Sequence, residues 1–527
     1  MTDSTLHTVR SYVYGTWHEA EDGFATLLDP STEEAVAQVS SAGVDFEKVI
    51  SHARDVGGPA LRAMTFGERG AMLKGLSKAV RERRNELLEL SHVNGGATTP
   101  DGAFDVDGAG GTLAYYAFLG KGLGDVRALP DGDGTQLGKS EAFWVHHVKV
   151  PRQGVVLAVN AFNFPAWGLA EKAACAWLAG VPVIAKPATA TAWVAERLVE
   201  ILLDTGLLPD GALQLVSGSS GDLVDRLGPQ DMLAFTGSAD TALKLRGGES
   251  LLAASTRVNV EADSLNAAVL APGVEQGQPL FETFIKDVAR EMTQKTGQKC
   301  TAVRRIFVPA AALDAVQHDL IVRLRKIKPG NPADEKTRMG PLANAAQLAD
   351  ALTGIEELEA DGAVIVHGTG QRADGVGAEA GKGYFLKPTL LRHDDPKEAD
   401  KIHRREVFAP VSTLMPYTGK APQAADLVAR GGGTLVTSVY SDDPEWLGTF
   451  LAGVAPHTGR VYVGSTDSAG FGSGAVLPQG QHGGPGRAGG GAELGGLAGL
   501  DPYLQRIAVQ GDRALIEPLL APDAGDE

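Results

Sequence analysis

The sequence predicts an α/β protein built on a parallel sheet, and two observations carry this prediction. First, five short apolar runs have the composition of strands buried on both faces of such a sheet: "GVVLAVNAF", "VPVIAKP", "LQLVSG", "MLAFTGS" and "NAAVLAP". Second, helical stretches such as "AERLVEILLDTG" lie between several of these runs. Residues 154–272 are therefore predicted to form a βαβ array.

Strands and helices are also predicted before this array. Residues 11–40 alternate apolar and polar side chains between the turn signals "EDG" and "DPST", which predicts short strands. Residues 60–91 place apolar side chains at helical spacing with charged residues between them. A glycine-rich interval around residues 95–111 then separates this helix from a second one over "GTLAYYAFLGKGLG".

A second α/β unit is predicted after the array, from "RRIFVP", "DAVQHDLIVRLRKI", "GAVIVHG" and "TLVTSVYS". Near the C-terminus, "HGGPGRAGGGAELGGLAGL" has the composition of a flexible linker. The strand-like "YLQRIAVQ" follows it, however. A glycine-rich loop packed closely on other backbone therefore explains the segment as well as a linker does.

Composition bounds the class of protein. A length of 527 residues indicates about three domains, and 43% hydrophobic with 21% charged residues is typical of a soluble globular protein. The net charge of −17 disfavours binding to nucleic acid or anionic lipid. The N-terminus lacks a signal-peptide pattern, and the longest apolar run, residues 173–185, is too short to span a bilayer. We expect a cytoplasmic protein with no nucleic-acid or membrane partner.

Cys300 is the first candidate for chemistry. The chain has only two cysteines, which fits a reduced compartment better than a disulfide framework. Cys300 lies in "TGQKCTAVRR", where Lys299, Arg304 and Arg305 would favour a reactive thiolate if the fold directs them toward the sulfur. Cys175 lies in the apolar stretch "EKAACAWLAG" and is expected to be a packing residue.

Five segments, in order, resemble motifs of the aldehyde dehydrogenase superfamily. They are "AFNFPAWGLAEKAACAWLAGVPVIAKPATATAW", "FTGSAD", "NVEADSLNAAV", "TGQKCTAVRR" and "REVFAPV". The resemblance covers nearly all of residues 10–510. Within the superfamily, "VEADSLN", "KPATATAW", "FTGSADTA" and "HGGPGRAGGG" resemble the branch that oxidises coenzyme A-linked semialdehydes in aerobic aromatic degradation. A CoA-thioester semialdehyde is therefore the expected substrate.

The resemblance implies a set of catalytic residues. Cys300 would attack the aldehyde as a thiolate, because a tetrahedral thiohemiacetal expels hydride more readily than a planar aldehyde. The Asn163 side chain and the Cys300 N–H would bind the oxyanion. Glu261 would activate the water that hydrolyses the thioester, and burial is expected to raise its pKa. Lys172 and Glu493 match the family's proton relay.

A nicotinamide cofactor is implied because the hydride needs an acceptor. The chain has no G-x-G-x-x-G after a strand. The family instead binds the pyrophosphate at a helix that the Gly-Ser of "FTGS" opens, here Gly237 and Ser238. Lys186 would reach the adenosine ribose. NAD-specific relatives carry a carboxylate three residues later, where this chain has Thr189, so NADP is predicted, with NAD as the weaker alternative.

Two further residues would contact the nicotinamide half of the cofactor. Glu406 matches the family residue that holds the nicotinamide ribose, and Phe408 would pack against the ring. Ala409 stands where the family pattern has Gly, and Phe162 stands where Trp is usual. No metal site is predicted, because the 12 histidines show no ligand spacing with Cys or acidic partners.

The resemblance also implies the domain organisation. A Rossmann-like NADP-binding domain would take residues 1–135 and 153–262, and an α/β catalytic domain residues 263–474. A small β oligomerisation arm and the C-terminal segment would take residues 136–152 and 475–527. Family members pair through such arms, so a homodimer is expected and a tetramer remains an alternative.

Several alternatives stay open at this stage. The substrate branch contains both a benzoate-pathway and a phenylacetate-pathway semialdehyde dehydrogenase; the chain stops soon after residue 510, without the second enzyme's hydratase domain, which favours the first. A general aliphatic aldehyde dehydrogenase is another hypothesis. A CoA-acylating enzyme would lack the hydrolytic glutamate, so Glu261 disfavours it. A catalytically silent scaffold protein is disfavoured because Cys300, Asn163, Glu261 and Glu406 are all present.

Overall fold

Two seven-stranded sheets form the frame of the computed structural model, which describes residues 6–467 and 474–520. The strands up to residue 262 are β1 (His7–Val9), β2 (Ser11–Val13), β3 (Thr16–His18), β4 (Ala25–Leu28), β5 (Ala35–Val39), β6 (Leu129–Pro130), β7 (Thr135–Gln136), β8 (Phe143–Pro151), β9 (Val156–Val159), β10 (Val183–Lys186), β11 (Leu213–Leu215), β12 (Met232–Thr236) and β13 (Arg257–Glu261).

The α-helices of this part are α1 (Phe46–His52), α2 (Gly58–Ala63), α3 (Phe66–Glu82), α4 (Arg84–Val93), α5 (Thr99–Leu123), α6 (Trp167–Ala179), α7 (Ala192–Leu203), α8 (Ala239–Arg246) and α9 (Glu249–Ala254). A π-helical turn covers Ala53–Gly57, and 3₁₀ turns cover Thr189–Thr191 and Leu223–Arg226.

The first large sheet has the order β13-β12-β9-β10-β11-β2-β3. Its strands β9 to β13 run parallel, whereas β2 is antiparallel to β11. Lys186 pairs with Val159, and Thr236 pairs with Glu261. The carboxyl ends of four parallel strands therefore meet at one edge, which is where ligands bind in open α/β sheets.

The second part contains β14 (Ala267–Leu270), β15 (Arg305–Pro309), β16 (Val364–His367), β17 (Thr389–Arg392), β18 (Val411–Tyr417), β19 (Thr434–Tyr440), β20 (Thr458–Gly464), β21 (Gln481–Gly483), β22 (Ala492–Leu494) and β23 (Leu504–Asp512). Its α-helices are α10 (Pro279–Thr293), α11 (Leu313–Leu324), α12 (Ala345–Ala360), α13 (Ala421–Ala429), α14 (Pro444–Val454) and α15 (Arg513–Leu520). The 3₁₀ turns are Gln294–Gly297, Ala310–Ala312, Lys401–His403, Ala455–His457, Gly486–Ala488 and Gly496–Tyr503.

The second large sheet has the order β16-β17-β18-β15-β14-β19-β20, with only its edge strand β16 antiparallel to its neighbour. The α/β class is confirmed. One detail of the predicted βαβ array is wrong: "NAAVLAP" forms β14, which pairs with β15 and β19 instead of joining the first sheet. An apolar run shows that a strand is buried but not which sheet buries it.

The predicted helix over residues 60–91 is divided into α2, α3 and α4. The backbone of Met64 is extended, and a capping box of Thr65 and Glu68 starts α3. The glycine-rich interval breaks the helical structure only over residues 94–98, because α5 already begins at Thr99 and includes the later glycines. Gly70 and Gly120 let α3 and α5 approach closely: a Cβ at Gly120 would lie 2.8 Å from the Gly70 Cα.

The glycine-rich segment near the C-terminus packs on other backbone and is not a linker. The Gly491 N–H donates to the Val260 carbonyl, and the Ala262 N–H donates to the Ala488 carbonyl. A Cβ at Gly489, where φ is +108°, would lie 2.2 Å from the Val260 oxygen. The strands β21 and β22 pair antiparallel beside this contact, with His482 opposite Glu493.

A further sheet joins distant parts of the chain as an arm. The strand β8 pairs along its length with β23, and β6 and β7 also pair with β8. The boundaries assigned to the three domains from sequence stay predictions. Within the described ranges, none of the helices has the length and apolar character needed to cross a membrane.

Candidate active site

Cys300 lies on a tight loop between α10 and β15. Three consecutive residues before it have left-handed backbone: Lys295 (φ 52°), Thr296 (φ 55°) and Gly297 (φ 66°). A Cβ at Gly297 would lie 2.3 Å from the backbone of Ala409, so only glycine fits there. The Asn266 amide donates to the Cys300 carbonyl at 2.7 Å and fixes the loop from the other side. The thiol is half-buried.

The three cations that the sequence places around the thiol are engaged elsewhere. Lys299 pairs with Glu291 and donates to Gln294. Arg304 donates to carboxylate and carbonyl oxygens, and Arg305 donates to three backbone carbonyls and to a histidine ring. Arg304 still interacts electrostatically with Cys300, so the field expected from the sequence is retained in part, although all three cations bind other partners.

A histidine that the sequence does not mark lies against the thiol. The His482 Nε2 is 3.7 Å from the Cys300 Sγ and 3.1 Å from a Glu261 carboxylate oxygen. His482 and Glu261 are both buried. Burial and the Glu261 charge raise the pKa of Cys300 to about 11, although His482 acts in the opposite direction.

Glu261, the last residue of β13, is more acidic than expected from its burial. Burial alone would raise its pKa, but the charges of His482 and Lys172 and the hydrogen bonds from His482 and Cys300 lower the pKa to about 2. The sequence-based expectation of a raised pKa is wrong because it counted burial without these partners. Glu261 is thus an ionised carboxylate beside the thiol.

The predicted relay residues Lys172 and Glu493 are in contact. The Lys172 ammonium is fully buried and lies 3.3 Å from Glu493, 3.0 Å from Glu171 and 2.8 Å from the Thr236 hydroxyl. Burial acts to lower the pKa of Lys172, but Glu171 and Glu493 reverse that and raise it. Asn259 on β13 donates to Glu493 at 3.3 Å and so connects this group to the strand of Glu261.

Asn163 lies beside a cleft next to the nucleophile loop. The cleft has a volume of about 470 Å³ and opens to solvent, and its lining includes Phe162, Asn163, Lys295 and Gln298. The Lys295 ammonium lies 4.3 Å from the centre of the Phe164 ring. Asn163 thus lies between the strand edge of the first sheet and the loop that carries Cys300.

The predicted pyrophosphate residues Gly237 and Ser238 open α8. The Ser238 hydroxyl caps the helix by accepting from the Thr241 N–H. The Gly237 N–H donates to the Glu261 carbonyl, and a Cβ at Gly237 would lie 2.5 Å from the Phe235 ring. Glycine is therefore needed at this position, because a side chain would overlap the Phe235 ring.

The ends of β9 and β10 provide polar atoms for a nucleotide. Lys186 is buried, and its ammonium donates to the Pro187 carbonyl at 2.8 Å. Burial lowers the pKa of Lys186 to about 8. Thr189 lies in the turn that follows. Within the described residues, the buried Asn160 Oδ1 has no hydrogen-bond partner. These atoms fit a nucleotide, which would supply the hydrogen-bonding groups that are missing.

Glu406 contacts Arg304 of the loop after Cys300, and Phe408 packs on Phe162, which lines the cleft. The two oxygens of the Glu406 carboxylate accept from Arg304 at 3.2 Å and from the Ser264 N–H at 3.0 Å. Burial raises the pKa of Glu406 to about 7 despite Arg304. The Phe408 ring packs edge-to-face on Phe162 with 5.9 Å between ring centres.

Sequence reasoning missed His482 and Glu171. His482 contacts residues that are far away in sequence, so spacing carried no signal, and it was only a part of a quoted motif. Glu171 is the sequence neighbour of Lys172, but only the fold shows that Lys172 is buried between Glu171 and Glu493. The structure also brings metal-ligand atoms together that spacing did not predict. Glu261, Cys300 and His482 form one such group, and Glu171, Glu261 and Glu493 form another, within the ranges that the structure describes. The Lys172 ammonium already contacts the second group.

This fold and site define an aldehyde dehydrogenase. A model of the aldehyde dehydrogenase family matches residues 17–509, so the chain belongs to this family and is an oxidoreductase. Betaine aldehyde dehydrogenase from Staphylococcus aureus in complex with NAD+ superposes with a TM-score of 0.80 at 24% identity, over 96% of this chain and 95% of that one. PnpE in complex with nicotinamide adenine dinucleotide superposes with a TM-score of 0.82 at 22% identity, over 95% of this chain and 97% of that one. Both structures show the same fold.

The relatives also include a protein with an assigned substrate. A 3,4-dehydroadipyl-CoA semialdehyde dehydrogenase from Aromatoleum evansii is 44% identical to this chain over 477 residues, which are 90% of this chain and 92% of that protein. The resemblance to the family and to the branch that acts on CoA-linked semialdehydes is thereby confirmed.

Proposed function

We propose that this protein oxidises a CoA-linked semialdehyde of the 3,4-dehydroadipyl type to the carboxylic acid in aromatic degradation, with NADP+ as the hydride acceptor. The observation that carries the substrate is the 44% identity to a dehydrogenase of that name over most of both chains. The chemistry is supported independently by the contact between Cys300, His482 and Glu261.

The chain's own residues support a two-stage reaction. The Cys300 thiolate attacks the aldehyde carbon and forms a thiohemiacetal, whose oxyanion accepts hydrogen bonds from Asn163 and from the Cys300 N–H. NADP+, when bound, accepts the hydride that leaves this carbon. Cys300 then carries a thioester.

Hydrolysis of the thioester is the part that Glu261 would perform. Its ionised carboxylate takes a proton from water, whose oxygen attacks the thioester carbon; the C–S bond breaks, and the acid and the Cys300 thiolate are released. The proton can pass on to the buried group of Lys172 and Glu493. Free CoA is not needed for this step, which distinguishes it from the CoA-acylating alternative.

NADP+ is preferred to NAD+ in this proposal because of Lys186 and Thr189. The buried ammonium of Lys186 would attract a 2′-phosphate, and Thr189 offers a hydroxyl where a carboxylate would repel it. The related solved structures contain NAD+. The choice between NADP+ and NAD+ is therefore tested by measuring kcat/KM with each cofactor.

The deciding experiment is a kinetic comparison of substrates and cofactors, followed by the absorbance of the reduced nicotinamide. We expect the highest kcat/KM with a CoA-linked semialdehyde and NADP+, without added CoA. The matched comparison of benzoate-pathway and phenylacetate-pathway semialdehydes separates those two substrates. A preference for short free aldehydes with NAD+ would overturn the substrate and the cofactor together.

Two variants test the nucleophile. Cys300→Ser should abolish acid formation, because serine is not ionised near neutral pH. Cys175→Ala is the matched control: Cys175 is buried in the core of α6, and it should retain the parent rate. If the parent protein itself reduces no cofactor with any aldehyde, the scaffold alternative replaces this proposal.

A further inference from the structure

The imidazole of His482 lies between the thiol and the carboxylate of the site. Its Nε2 is 3.7 Å from the Cys300 Sγ and 3.1 Å from a Glu261 oxygen. His482 is on β21, and the backbone bonds between the adjoining glycine-rich loop and Val260 hold β21 and β22 close to β13. The position of this ring is therefore fixed from two sides.

We propose that His482 is a catalytic residue of this protein: its imidazolium, held in place by Glu261, forms an ion pair with the Cys300 thiolate. The proposal deepens the function above, because it rests on Cys300 being the nucleophile. It assigns a positive charge in direct contact with the sulfur, whereas the side chains of Lys299, Arg304 and Arg305 bind other groups.

A positive charge next to the sulfur is what a reactive cysteine requires. The thiolate is the nucleophile, and a nearby cation lowers the thiol pKa. The three cations close to Cys300 in sequence are bound to other partners. The imidazole is the ring that the structure places at the sulfur, and the same ring contacts the carboxylate that keeps it charged.

The direction of the His482 pKa shift agrees with an imidazolium at this position, whereas burial and the Glu261 charge hold the pKa of the Cys300 thiol above its usual value. Burial, the largest single influence, acts to lower the pKa of His482, but the Glu261 charge and the contacts with Cys300 and Glu261 raise it well above the usual value. A ring with a raised pKa is protonated at neutral pH. The His482 charge in turn opposes the burial that raises the pKa of Cys300.

Other charged groups face the same site and contribute to its titration. On the elements around His482 and Cys300 these are Glu261 of β13, Glu171 and Lys172 of α6, Lys295 of the nucleophile loop, Arg304 before β15, Arg460 of β20 and Glu493 of β22. A pH profile of turnover would reflect the titration of all these groups together. The thiol is therefore best titrated directly.

Formation of the thiolate and its attack on the aldehyde need no reagent other than the substrate. The S–H bond of Cys300 breaks and its proton goes to solvent, which leaves the thiolate paired with the His482 imidazolium. A sulfur lone pair forms the S–C bond to the aldehyde carbon, and the carbonyl π pair moves to oxygen. That pair returns to the C=O bond when the hydride leaves for NADP+, so the aldehyde carbon is oxidised and the cofactor reduced.

The test is the rate at which iodoacetamide alkylates Cys300 in the resting protein, measured by mass spectrometry across a pH series. In His482→Gln the neutral amide removes the charge, and we expect the midpoint of the profile to move up by about one pH unit. Below the midpoint this is about a tenfold slower alkylation, since one pKa unit is a tenfold change in thiolate. His318→Gln, at an exposed position of α11, is the matched control and should leave the profile unchanged.

His482→Lys separates charge from shape. It restores a cation, so its profile should return toward that of the parent, whereas a purely structural role would not distinguish Lys from Gln. An unchanged midpoint in a His482→Gln protein with native circular dichroism overturns the proposal, and so does a midpoint that falls.

A measurement on the native protein covers the case in which neither variant folds. Histidine-selective ¹³C NMR should show one ring that is charged at pH 7 and whose signal moves when Cys300 is alkylated. A neutral ring responding in this way would overturn the proposal. Alkylation needs no turnover, so a protein that oxidises no aldehyde would refute the proposed function while this test still decides the role of His482.

Discussion

At the scale of single residues, Lys186 and Thr189 decide how the site would treat a 2′-phosphate. Lys186 is a buried cation whose lowered pKa is explained by burial alone, and its ammonium contacts a carbonyl. An isolated buried charge is costly unless a counter-charge arrives. A bound phosphate would supply that charge, which is the physical reason to expect NADP+.

Thr189→Glu should therefore reverse cofactor preference. A carboxylate here would repel the 2′-phosphate and accept hydrogen bonds from the ribose hydroxyls of NAD+. We expect kcat/KM for NADP+ to fall at least tenfold while that for NAD+ is kept or rises. Thr189→Gln, of the same length but neutral, is the control, and it should lose much less NADP+ activity. Equal losses in both variants would contradict the charge argument.

The pKa of Lys186 predicts how this preference depends on pH. With a pKa of about 8 in the free protein, the ammonium is charged below that pH and neutral above it. The KM for NADP+ should therefore rise by up to tenfold per unit as the pH passes above 8, with a smaller change for NAD+. Initial-rate kinetics from pH 7 to 9.5 would show it. In Lys186→Gln the difference between the two cofactors should no longer depend on pH.

The family resemblance named single site residues, whose catalytic roles stay predictions, whereas the ionisation state of a residue depends on contacts that the sequence does not show. Cys300 and Glu261 are placed together around the His482 ring. The acidity of Glu261 escaped prediction because it depends on a histidine more than two hundred residues away. The spacing of residues along the chain does not encode that contact.

At the scale of elements, the loop before Cys300 depends on Gly297. Its positive φ and its approach to Ala409 leave no room for a Cβ. Gly297→Ala should displace the nucleophile, so we expect a loss of activity of at least a hundredfold together with a lower Tm. Activity and thermal unfolding measured on the same preparation would show it.

Gly111→Ala is the matched control for that substitution. Gly111 lies on α5, and a Cβ there would meet nothing within 4 Å. Alanine favours a helix over glycine by about 1 kcal/mol, so this variant should keep its activity and gain up to that much stability. A Gly297→Ala protein that behaves like Gly111→Ala would contradict the strain argument.

The strands of the first sheet were the most predictable elements. Their apolar runs are short, lie between turn signals and are buried on both faces. The start of α5 was less predictable, because its glycines lower helix propensity but allow the close packing of Gly120 on Gly70. Tertiary contact there outweighs local preference.

At the scale of the whole molecule, the arm sheet presents apolar side chains to solvent. Phe143 on β8 is 43% exposed, Ile507 on β23 is 41% exposed, and Leu515 on α15 is 71% exposed. Exposed apolar side chains on adjoining elements are typical of interaction surfaces. They support the expectation, made from the family resemblance, that the protein is a homodimer.

Two charged substitutions on this arm test the dimer. The Ile507→Lys, Leu515→Glu double variant should shift the molar mass, measured by light scattering after size exclusion, from that of two chains to that of one. Val364→Glu is the control, since Val364 is 64% exposed on β16, away from the arm strands, and it should leave the mass unchanged. A double variant with the parent mass would place the contact elsewhere.

The order of the segments along the chain determines when the site can become reactive. Glu261 and Cys300 come first, whereas His482 and Glu493 lie on the late strands whose glycine-rich loop bonds to the backbone at Val260. During synthesis, a nascent chain would expose the thiol long before its histidine partner has left the ribosome. Under the proposed role of His482, the cysteine would gain its full nucleophilicity only after the segment that carries this histidine has been synthesised, which limits damage by stray electrophiles to the immature polypeptide.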